Sequence, residues 1–326
     1  MATYKGIKGF NIQTVSSDPP APFAGQVWYN STSATVKYFA VQSAAWSTGG
    51  NLPTVTKALA GAGTKTAGLA FGGETPGSAQ VAETYEYNGT SWTDGGDLTT
   101  ARQNLGGCGT QTAGLAFGGR SPPIVNSTEE YNGSSWTAGG NLGTAVRDVG
   151  NAGTQTAGLA IGGNTFPLNT PPVTDITQEY DGSSWTNGGT LPAAFKFSSG
   201  AGTQNAAFSA GGDPGPVAEF LTVEYNGSSW TSGGNLTTER TQQNSASGTQ
   251  TAGLICGAPG ASNVTELYDG SSWTNSANLN VGRSYLAAVG STQSSTLAFG
   301  GQSPPTTAAT EEFDGGGPAT LTVGTD

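Results

Sequence analysis

Six basic side chains recur in step with six tryptophans along the chain. Each of them lies 10 or 11 positions after its tryptophan, and together they are more than half of the 11 Lys and Arg residues. The six are Lys57, Arg102, Arg147, Lys196, Arg240 and Arg283. If they form a ring around the mouth of a channel, that ring would bind the carboxylate or sulfate of a glycan, because arginine makes paired, charged hydrogen bonds with such groups.

Carboxylates recur as well, which gives the cations a second interpretation. A glutamate stands just before a strand aromatic in five repeats, at Glu86, Glu130, Glu179, Glu224 and Glu312. These carboxylates are the expected partners if the cations serve packing. Two carboxylates are also what glycoside hydrolysis requires, but a catalytic pair is expected once, not in every repeat. The pattern favours structural pairing, and anion binding stays open as the alternative.

Other common catalytic chemistries lack their side chains. The sequence contains no histidine, and its two cysteines, Cys108 and Cys256, lie in different repeats. Without histidine there is no Ser-His-Asp or Cys-His catalysis, and two isolated thiols do not make a zinc site. We therefore expect no catalytic residues, no metal and no cofactor.

The elements that position these side chains are near-copies of one stretch between Trp46 and Phe313. Their tryptophans are spaced 43 to 49 residues apart. These are Trp46, Trp92, Trp136, Trp185, Trp230 and Trp273. Each copy holds four strand candidates, typified by SWT, NLGGCG, TAGLAFGG and TEEYN, and an Asn-Gly or Asp-Gly turn leads into the next copy. A period in the forties with a glycine pair and a tryptophan is typical of a propeller blade, and the 53 glycines do not suit helical repeats.

The last copy predicts how the repeats close. No tryptophan follows Phe313, so the final three strands are expected to take the Trp46 strand from the other end of the repeat region. The sequence thus predicts an all-β, six-bladed propeller over residues 41–326, closed by an N-terminal strand. Seven blades are the alternative, if a hairpin at 25–40 and the C-terminal strand build a further sheet.

Residues 1–40 lie outside the repeats and are predicted to serve attachment or oligomerisation. They contain a β-hairpin candidate, GQVWYN–STSA–TVKYFA, after a proline-rich lead. Its aromatic residues are expected to be exposed and to make the contacts. They are Phe10, Phe23, Trp28 and Tyr29.

The loops after each glycine pair vary in length and are rich in proline. In an up-and-down blade they emerge on the same face as the cations, and binding residues concentrate in loops on rigid scaffolds. The longest, 164–178, is the expected contact surface, with an idle surface insertion as the alternative. The partner-binding candidates are Arg120, Phe166, Pro171, Pro172 and Phe220.

Net charge limits the partners. The chain carries a formal charge of −11, which disfavours nucleic acid and anionic membranes as partners because both require clustered cations. No run of about 18 apolar residues predicts a membrane span. The N-terminal MATYKGIKGFNIQ lacks the apolar core of a secretory signal.

The repeat resembles the kelch repeat, whose blades carry a glycine pair after the second strand, then an aromatic residue and a spaced tryptophan. The resemblance covers about residues 46–313 and departs at Gly257-Ala258 and at the missing last tryptophan. It implies the kelch propeller. The copper enzymes on that fold require histidines, so their activity is not implied.

A narrower resemblance covers nearly the whole chain. The start MATYKGIKGFNIQ, then SDPPAP and GQVWYNSTS, followed by AAWSTGGNL and repeated GTQTAGLAFGG, is similar to kelch-like structural proteins of marine tailed bacteriophages. It implies a non-enzymatic tail-fibre or other virion-surface protein, assembled in the host cytoplasm. Such a protein would contact other virion proteins through residues 1–40 and a host-surface glycan or protein through its loops. A glycan-processing enzyme and a cellular kelch interaction module are the alternatives.

Overall fold

The computed structural model of the protein describes residues 12–165, 173–213, 220–241 and 245–323. These residues form 28 β-strands in seven four-stranded sheets and contain no α-helix. Within the same ranges, no helix is long and apolar enough to cross a membrane. The chain divides into two compact units, one spanning Ala45–Asp314 and the other combining Met1–Ala44 with Gly315–Asp326.

Six of the sheets, named A to F here, repeat one antiparallel pattern within Ala45–Asp314. Sheet A contains β5 (Ala60–Thr64), β6 (Ala67–Phe71), β7 (Thr84–Tyr87) and β8 (Trp92–Asp94). Sheet B contains β9 (Gly106–Thr110), β10 (Ala113–Phe117), β11 (Thr128–Tyr131) and β12 (Trp136–Ala138). Sheet C contains β13 (Gly150–Thr154), β14 (Ala157–Ile161), β15 (Thr177–Tyr180) and β16 (Trp185–Asn187).

The other three repeat sheets follow the same order. Sheet D contains β17 (Ser199–Thr203), β18 (Ala206–Ala210), β19 (Thr222–Tyr225) and β20 (Trp230–Ser232). Sheet E contains β21 (Ser245–Thr249), β22 (Ala252–Ala258), β23 (Ser262–Tyr268) and β24 (Trp273–Asn275). Sheet F contains β25 (Ala287–Thr292), β26 (Ser295–Phe299), β27 (Thr310–Asp314) and, from the start of the repeats, β4 (Ala45–Thr48). The strand exchange expected from the missing last tryptophan is present, with Trp46 opposite Phe313.

The first strands of the repeat sheets contact one another in cyclic order. Each of β5, β9, β13, β17 and β21 packs against the first strand of the next sheet, and β25 packs against β5. These strands consist mostly of Gly, Ala and Ser, such as AGAGT and GGCGT, which lets their backbones approach closely. The arrangement is consistent with a β-propeller.

The hydrophobic core lies between neighbouring sheets. The second strands contribute most to it, and they are buried along nearly their whole length. Leu69 and Phe71 of sheet A pack with Leu105 and Trp136 of sheet B in one such cluster. The ring of Phe71 meets that of Trp136 edge-on at 4.8 Å. Trp136 also donates its indole N–H to the Thr84 hydroxyl at 2.9 Å, so its apolar body and its polar atom both join sheet B to sheet A.

The same tryptophan contact recurs at every repeat sheet. Each outer-strand tryptophan donates to a threonine of the preceding sheet, and Trp92 of sheet A donates to Thr310 of sheet F. The pairs are Trp46–Thr265, Trp92–Thr310, Trp136–Thr84, Trp185–Thr128, Trp230–Thr177 and Trp273–Thr222. The phase of the tryptophans in the sequence therefore reflects packing between sheets.

A glutamine in the turn after the first strand provides a further link. Gln155 Nε2 donates to the carbonyls of Gly114 and Tyr131 in the preceding sheet, at 3.0 and 2.6 Å. Gln111, Gln204 and Gln250 do the same. In sheet A the position holds Lys65, whose Nζ lies 3.9 Å from Asp314 Oδ2 of sheet F. Sequence analysis missed these glutamines, although Gly-Thr-Gln recurs at their positions.

The terminal unit contains the seventh sheet, with strand order β1 (Gln13–Val15), β2 (Val27–Asn30), β3 (Thr35–Gln42) and β28 (Gly317–Thr322). β2 and β3 form the predicted hairpin, and β1 pairs with β2 in parallel. The C-terminal strand joins this hairpin, as the seven-blade alternative supposed, but β1–β3 and β28 belong to the other compact unit and not to sheets A to F. Gly315–Asp326 are thus grouped with the N-terminal segment, whereas the sequence analysis placed them in the propeller region 41–326.

We predict that Gly107→Ala destabilises the protein. A Cβ at Gly107 would lie 2.6 Å from Phe71 Cζ and 2.9 Å from Ala60 Cβ in sheet A, and such overpacking costs about 1–3 kcal/mol. The measurement is the free energy of unfolding from urea titration. Gly77→Ala is the matched control, since nothing lies within 4 Å of its Cβ; equal stability of the two variants would contradict close packing between first strands.

Candidate functional site

The six repeated cations separate into two environments according to their spacing from the tryptophan. Arg102, Arg240 and Arg283 follow at 10 residues and have fully buried side chains. Lys57, Arg147 and Lys196 follow at 11 residues, and their side chains are 22 to 26% exposed. Adjacent residues of an extended chain point to opposite sides. A cation at spacing 10 therefore points into the core, whereas a cation at spacing 11 points to the surface. The six do not form the single ring that the sequence suggested.

The three buried arginines each pair with a glutamate of their own sheet. Arg102 Nη2 lies 2.9 Å from Glu129 Oε1, and its Nη1 donates to the Ser127 carbonyl at 2.8 Å. Arg240–Glu266 and Arg283–Glu311 repeat this pair at 2.9 and 3.0 Å. Burial lowers the pKa of Arg102, and the charge of Glu129 opposes that shift. These arginines join the third strand to the segment before the first strand, which is a structural role.

The structural interpretation of the cations was right about pairing but wrong about the partner. The sequence named Glu130 and Glu312 as partners, whereas the paired residues are their neighbours Glu129 and Glu311. Residues i and i+1 of a strand face opposite sides of the sheet. The signal that finds the partner is a glutamate two residues before the strand aromatic, which occurs only in sheets B, E and F. Their cations are the three at spacing 10.

The glutamates that the sequence named bind tyrosines of the following sheet. Tyr131 donates its hydroxyl to Glu86 at 2.7 Å. Burial, and then this hydrogen bond, raise the pKa of Tyr131 to about 12. The other pairs are Tyr87–Glu312, Tyr180–Glu130, Tyr225–Glu179 and Tyr268–Glu224. These carboxylates are therefore engaged between sheets.

The cations at spacing 11 lie at one end of the first strands, where there is a cavity of about 600 Å³. We call it the mouth cavity. Its lining comes from the segments before the first strands and from the loops after the glycine pairs. The lining residues are Lys57, Ala58, Glu74, Ser78, Gln80, Gln103, Asn104, Arg120, Pro122, Arg147, Asp148, Phe197, Tyr285 and Gln302. A second cavity of about 470 Å³ at the other end of these strands is lined by Gly, Ala, Ser, Thr and Gln.

The mouth cavity has charged side chains and two aromatic ones, Phe197 and Tyr285. Lys57 Nζ lies 3.1 Å from Glu74 Oε1 and 3.4 Å from Gln302 Oε1. Lys196 Nζ lies beside the cavity, 2.9 Å from Asp213 Oδ2 and 5.2 Å from the centroid of the Phe197 ring. That ring in turn meets the Tyr285 ring edge-on at 6.2 Å.

Asp148 is the most perturbed carboxyl group at this end. Its side chain is fully buried, and its Oδ2 lies 3.7 Å from Arg147 Nε and 3.4 Å from Asn164 Nδ2. Side-chain hydrogen bonds with Asn164 and Asn104 favour its charged form. Burial raises the pKa of Asp148 to about 6, against the opposing charges of Arg147 and Lys196. Asp148 therefore holds Arg147 at the cavity wall, and the cost is burial of a charged carboxylate.

The predicted loop contacts are only partly described. Arg120 is exposed and lines the mouth cavity. Phe220 is half-buried and packs against a cluster that includes Phe208 and Trp273. The remaining three candidates, Phe166, Pro171 and Pro172, lie outside the described residues.

The predicted attachment aromatics differ in exposure. Phe23 is 69% exposed, and Tyr29 is half-buried. Trp28 is fully buried, contrary to the expectation, and donates its indole N–H to Asp18 Oδ1 at 3.0 Å. Phe10 lies outside the described residues.

Asp18 organises the terminal unit and was missed by sequence analysis, which described the residues before the hairpin only as a proline-rich lead. Its carboxylate accepts hydrogen bonds from Trp28, from Asn30 at 2.7 Å and from Lys37 at 2.7 Å. These bonds, that of Lys37 first, lower the pKa of Asp18 to about 2. The hairpin thus packs around a carboxylate.

No protein-family model matches the chain, and a search of curated proteins finds no significant match.

We predict that Glu129→Gln costs about 3–5 kcal/mol of unfolding free energy, because Arg102 would remain buried without its counter-charge. Urea titration measures it. Glu74→Gln, which breaks the partly exposed Lys57 pair, should cost less than about 1 kcal/mol. The double variant Arg102→Met with Glu129→Leu should recover most of the loss. Equal effects of the two glutamine variants would contradict the structural role of the buried pairs.

We predict that Asp148→Asn stabilises the protein at alkaline pH. The folded-state pKa lies above the usual 3.8, so the folded state binds its proton more tightly and loses stability as pH rises from about 4 through about 6. A shift of about two pKa units corresponds to about 3 kcal/mol above that window. Thermal unfolding at pH 8 and pH 5 should show the gain of the variant shrinking at the lower pH.

Asp181→Asn is the control for this titration. Asp181 lies in an exposed turn, where hydrogen bonds, that from the Ser184 amide first, lower its pKa to about 2. Its contribution to stability is therefore constant between pH 5 and pH 8. A gain of Asp148→Asn that does not change with pH would contradict the perturbed carboxyl group.

Proposed function

We propose that the chain is a six-bladed kelch-type β-propeller that acts without catalysis as a display and binding module on a bacteriophage particle. The blade number is supported by the cyclic contacts of the six first strands and by the exchange of β4 into sheet F. The kelch type is supported by the glycine pairs and spaced tryptophans of the sequence.

The observation that carries the proposal is the division of charged side chains between two uses. The glutamates and arginines that repeat within the core bind other sheets or their own sheet, as in Tyr131–Glu86 and Arg102–Glu129. Most of the cations that differ from repeat to repeat lie at one end, at or beside the mouth cavity, and Lys65 at the other end is the exception. A rigid frame with one variable polar face favours recognition.

The location on a particle rests on the resemblance of the first 50 residues and the repeated GTQTAGLAFGG to phage structural proteins. The terminal unit is the proposed attachment to other virion proteins, since it exposes apolar side chains, notably Phe23 at 69% and Val41 at 67%. The variable face would then contact the host surface.

The test uses antibodies raised against the purified chain. They should label intact particles of the phage that encodes it, and Fab fragments should slow adsorption of these particles to host cells. Fab fragments against an unrelated virion protein serve as the control. Absence of the chain from purified particles would overturn the proposal. If the antibodies label the particles but the Fab fragments do not slow adsorption, the display role stands and the host-binding role is overturned.

A further inference from the structure

The cations of the repeat unit are distributed unevenly. Eight Lys and Arg residues lie within Ala45–Asp314. Three of them are the buried arginines of sheets B, E and F. Lys65 lies in the turn after β5, next to the cavity at the other end. The remaining four, Lys57, Arg120, Arg147 and Lys196, all lie at or beside the mouth cavity.

This concentration of cations stands out against the composition of the chain. The protein has 22 acidic residues and 11 basic ones, yet the lining of the mouth cavity has three cations and two carboxylates. Lys57 is paired with Glu74, and Arg147 lies beside the buried Asp148. The side chain of Arg120 is exposed at the cavity, with no ion pair to a described residue. One positive charge is thus left to attract an anionic group.

The rest of the lining suits a ring with hydroxyl groups. Phe197 and Tyr285 supply an aromatic wall, and Gln103 and Gln302 supply amides. Most of the lining side chains are polar or charged, which suits a ligand rich in hydroxyl groups, and 600 Å³ lies within the usual volume range of small-molecule sites. Amide side chains both donate and accept hydrogen bonds, as sugar hydroxyls require.

We infer that the mouth cavity binds an acidic sugar, with the carboxylate or sulfate against Arg120 and Arg147 and the sugar ring against Tyr285 and Phe197. Both anionic groups accept paired hydrogen bonds from a guanidinium. The inference rests on the proposed binding function and names its site and its class of ligand. It assigns the ligand to Arg120 and the surface cations, and not to the three buried arginines.

The experiment measures binding of three probes to the full-length protein by calorimetry at about 0.15 M salt. The probes are a galacturonic acid trisaccharide, a sulfated galactose trisaccharide and a neutral galactose trisaccharide. One or both acidic probes should bind, and the neutral probe should bind at least tenfold more weakly. The acidic probe that binds more tightly identifies the anionic group.

Two variants place the site. Arg120→Gln and Arg147→Gln should each weaken the acidic probe by roughly tenfold or more, since each removes a charged hydrogen bond. Lys65→Gln is the matched control, because it removes one positive charge at the other end and restores the residue found at this position in sheets B to E. It should leave affinity unchanged. Far-ultraviolet circular dichroism and thermal unfolding verify that each variant is folded.

The inference is overturned if no acidic probe binds, if the neutral probe binds equally well, or if Lys65→Gln weakens binding as much as the arginine variants do. Its failure is distinguishable from failure of the proposed function, because labelling of particles and inhibition of adsorption do not depend on the class of ligand. Particles that are labelled and blocked by Fab fragments, together with a protein that binds no acidic sugar, would remove the inference alone.

Discussion

Packing of each repeat sheet against its two neighbours is the interaction on which the rest of the structure depends. A four-stranded sheet with a buried second strand cannot cover both of its faces alone, and here the preceding sheet covers one face and the following sheet covers the other. The tryptophan of the outer strand fills the space between two sheets and places its N–H on a threonine of the preceding one. Burial of the indole and satisfaction of its one donor are thus achieved by the same contact.

At one junction between sheets, both partners of a repeated polar link are replaced together. Tyr131 donates to Glu86, and four other sheet pairs have the same bond. Where sheet E meets sheet F, the carboxylate is replaced by Leu267 and the tyrosine by Phe313. A buried acceptor without its donor would cost about 1–3 kcal/mol, whereas replacement of both partners is nearly neutral. The two substitutions therefore preserve packing at that contact.

Burial of three of the six repeated cations decides which cations remain at the surface. The buried arginines contribute to joining strands within sheets B, E and F, and are not available to a ligand. Sheets A, C and D have Tyr85, Gln178 and Val223 at the position of the paired glutamate, and their cations lie one residue later. The asymmetry of the mouth cavity follows from this difference. A set of similar sheets thus acquires one end with its own chemistry.

The sequence by itself determined the repeats, the order of four strands in each, the hairpin at β2–β3 and the exchange of β4 into the last sheet. These features follow from local patterns, namely Asn-Gly turns, alternation of apolar residues and a missing final tryptophan. The tertiary structure decided which glutamate meets each arginine, that Trp28 is buried, that Gly315 onwards belongs with the N-terminal segment, and which cations remain at the surface. Each of these depends on the side of a strand to which a residue points and on which sheet lies there. A shift of one residue reverses that side, and no local pattern states which sheet covers it.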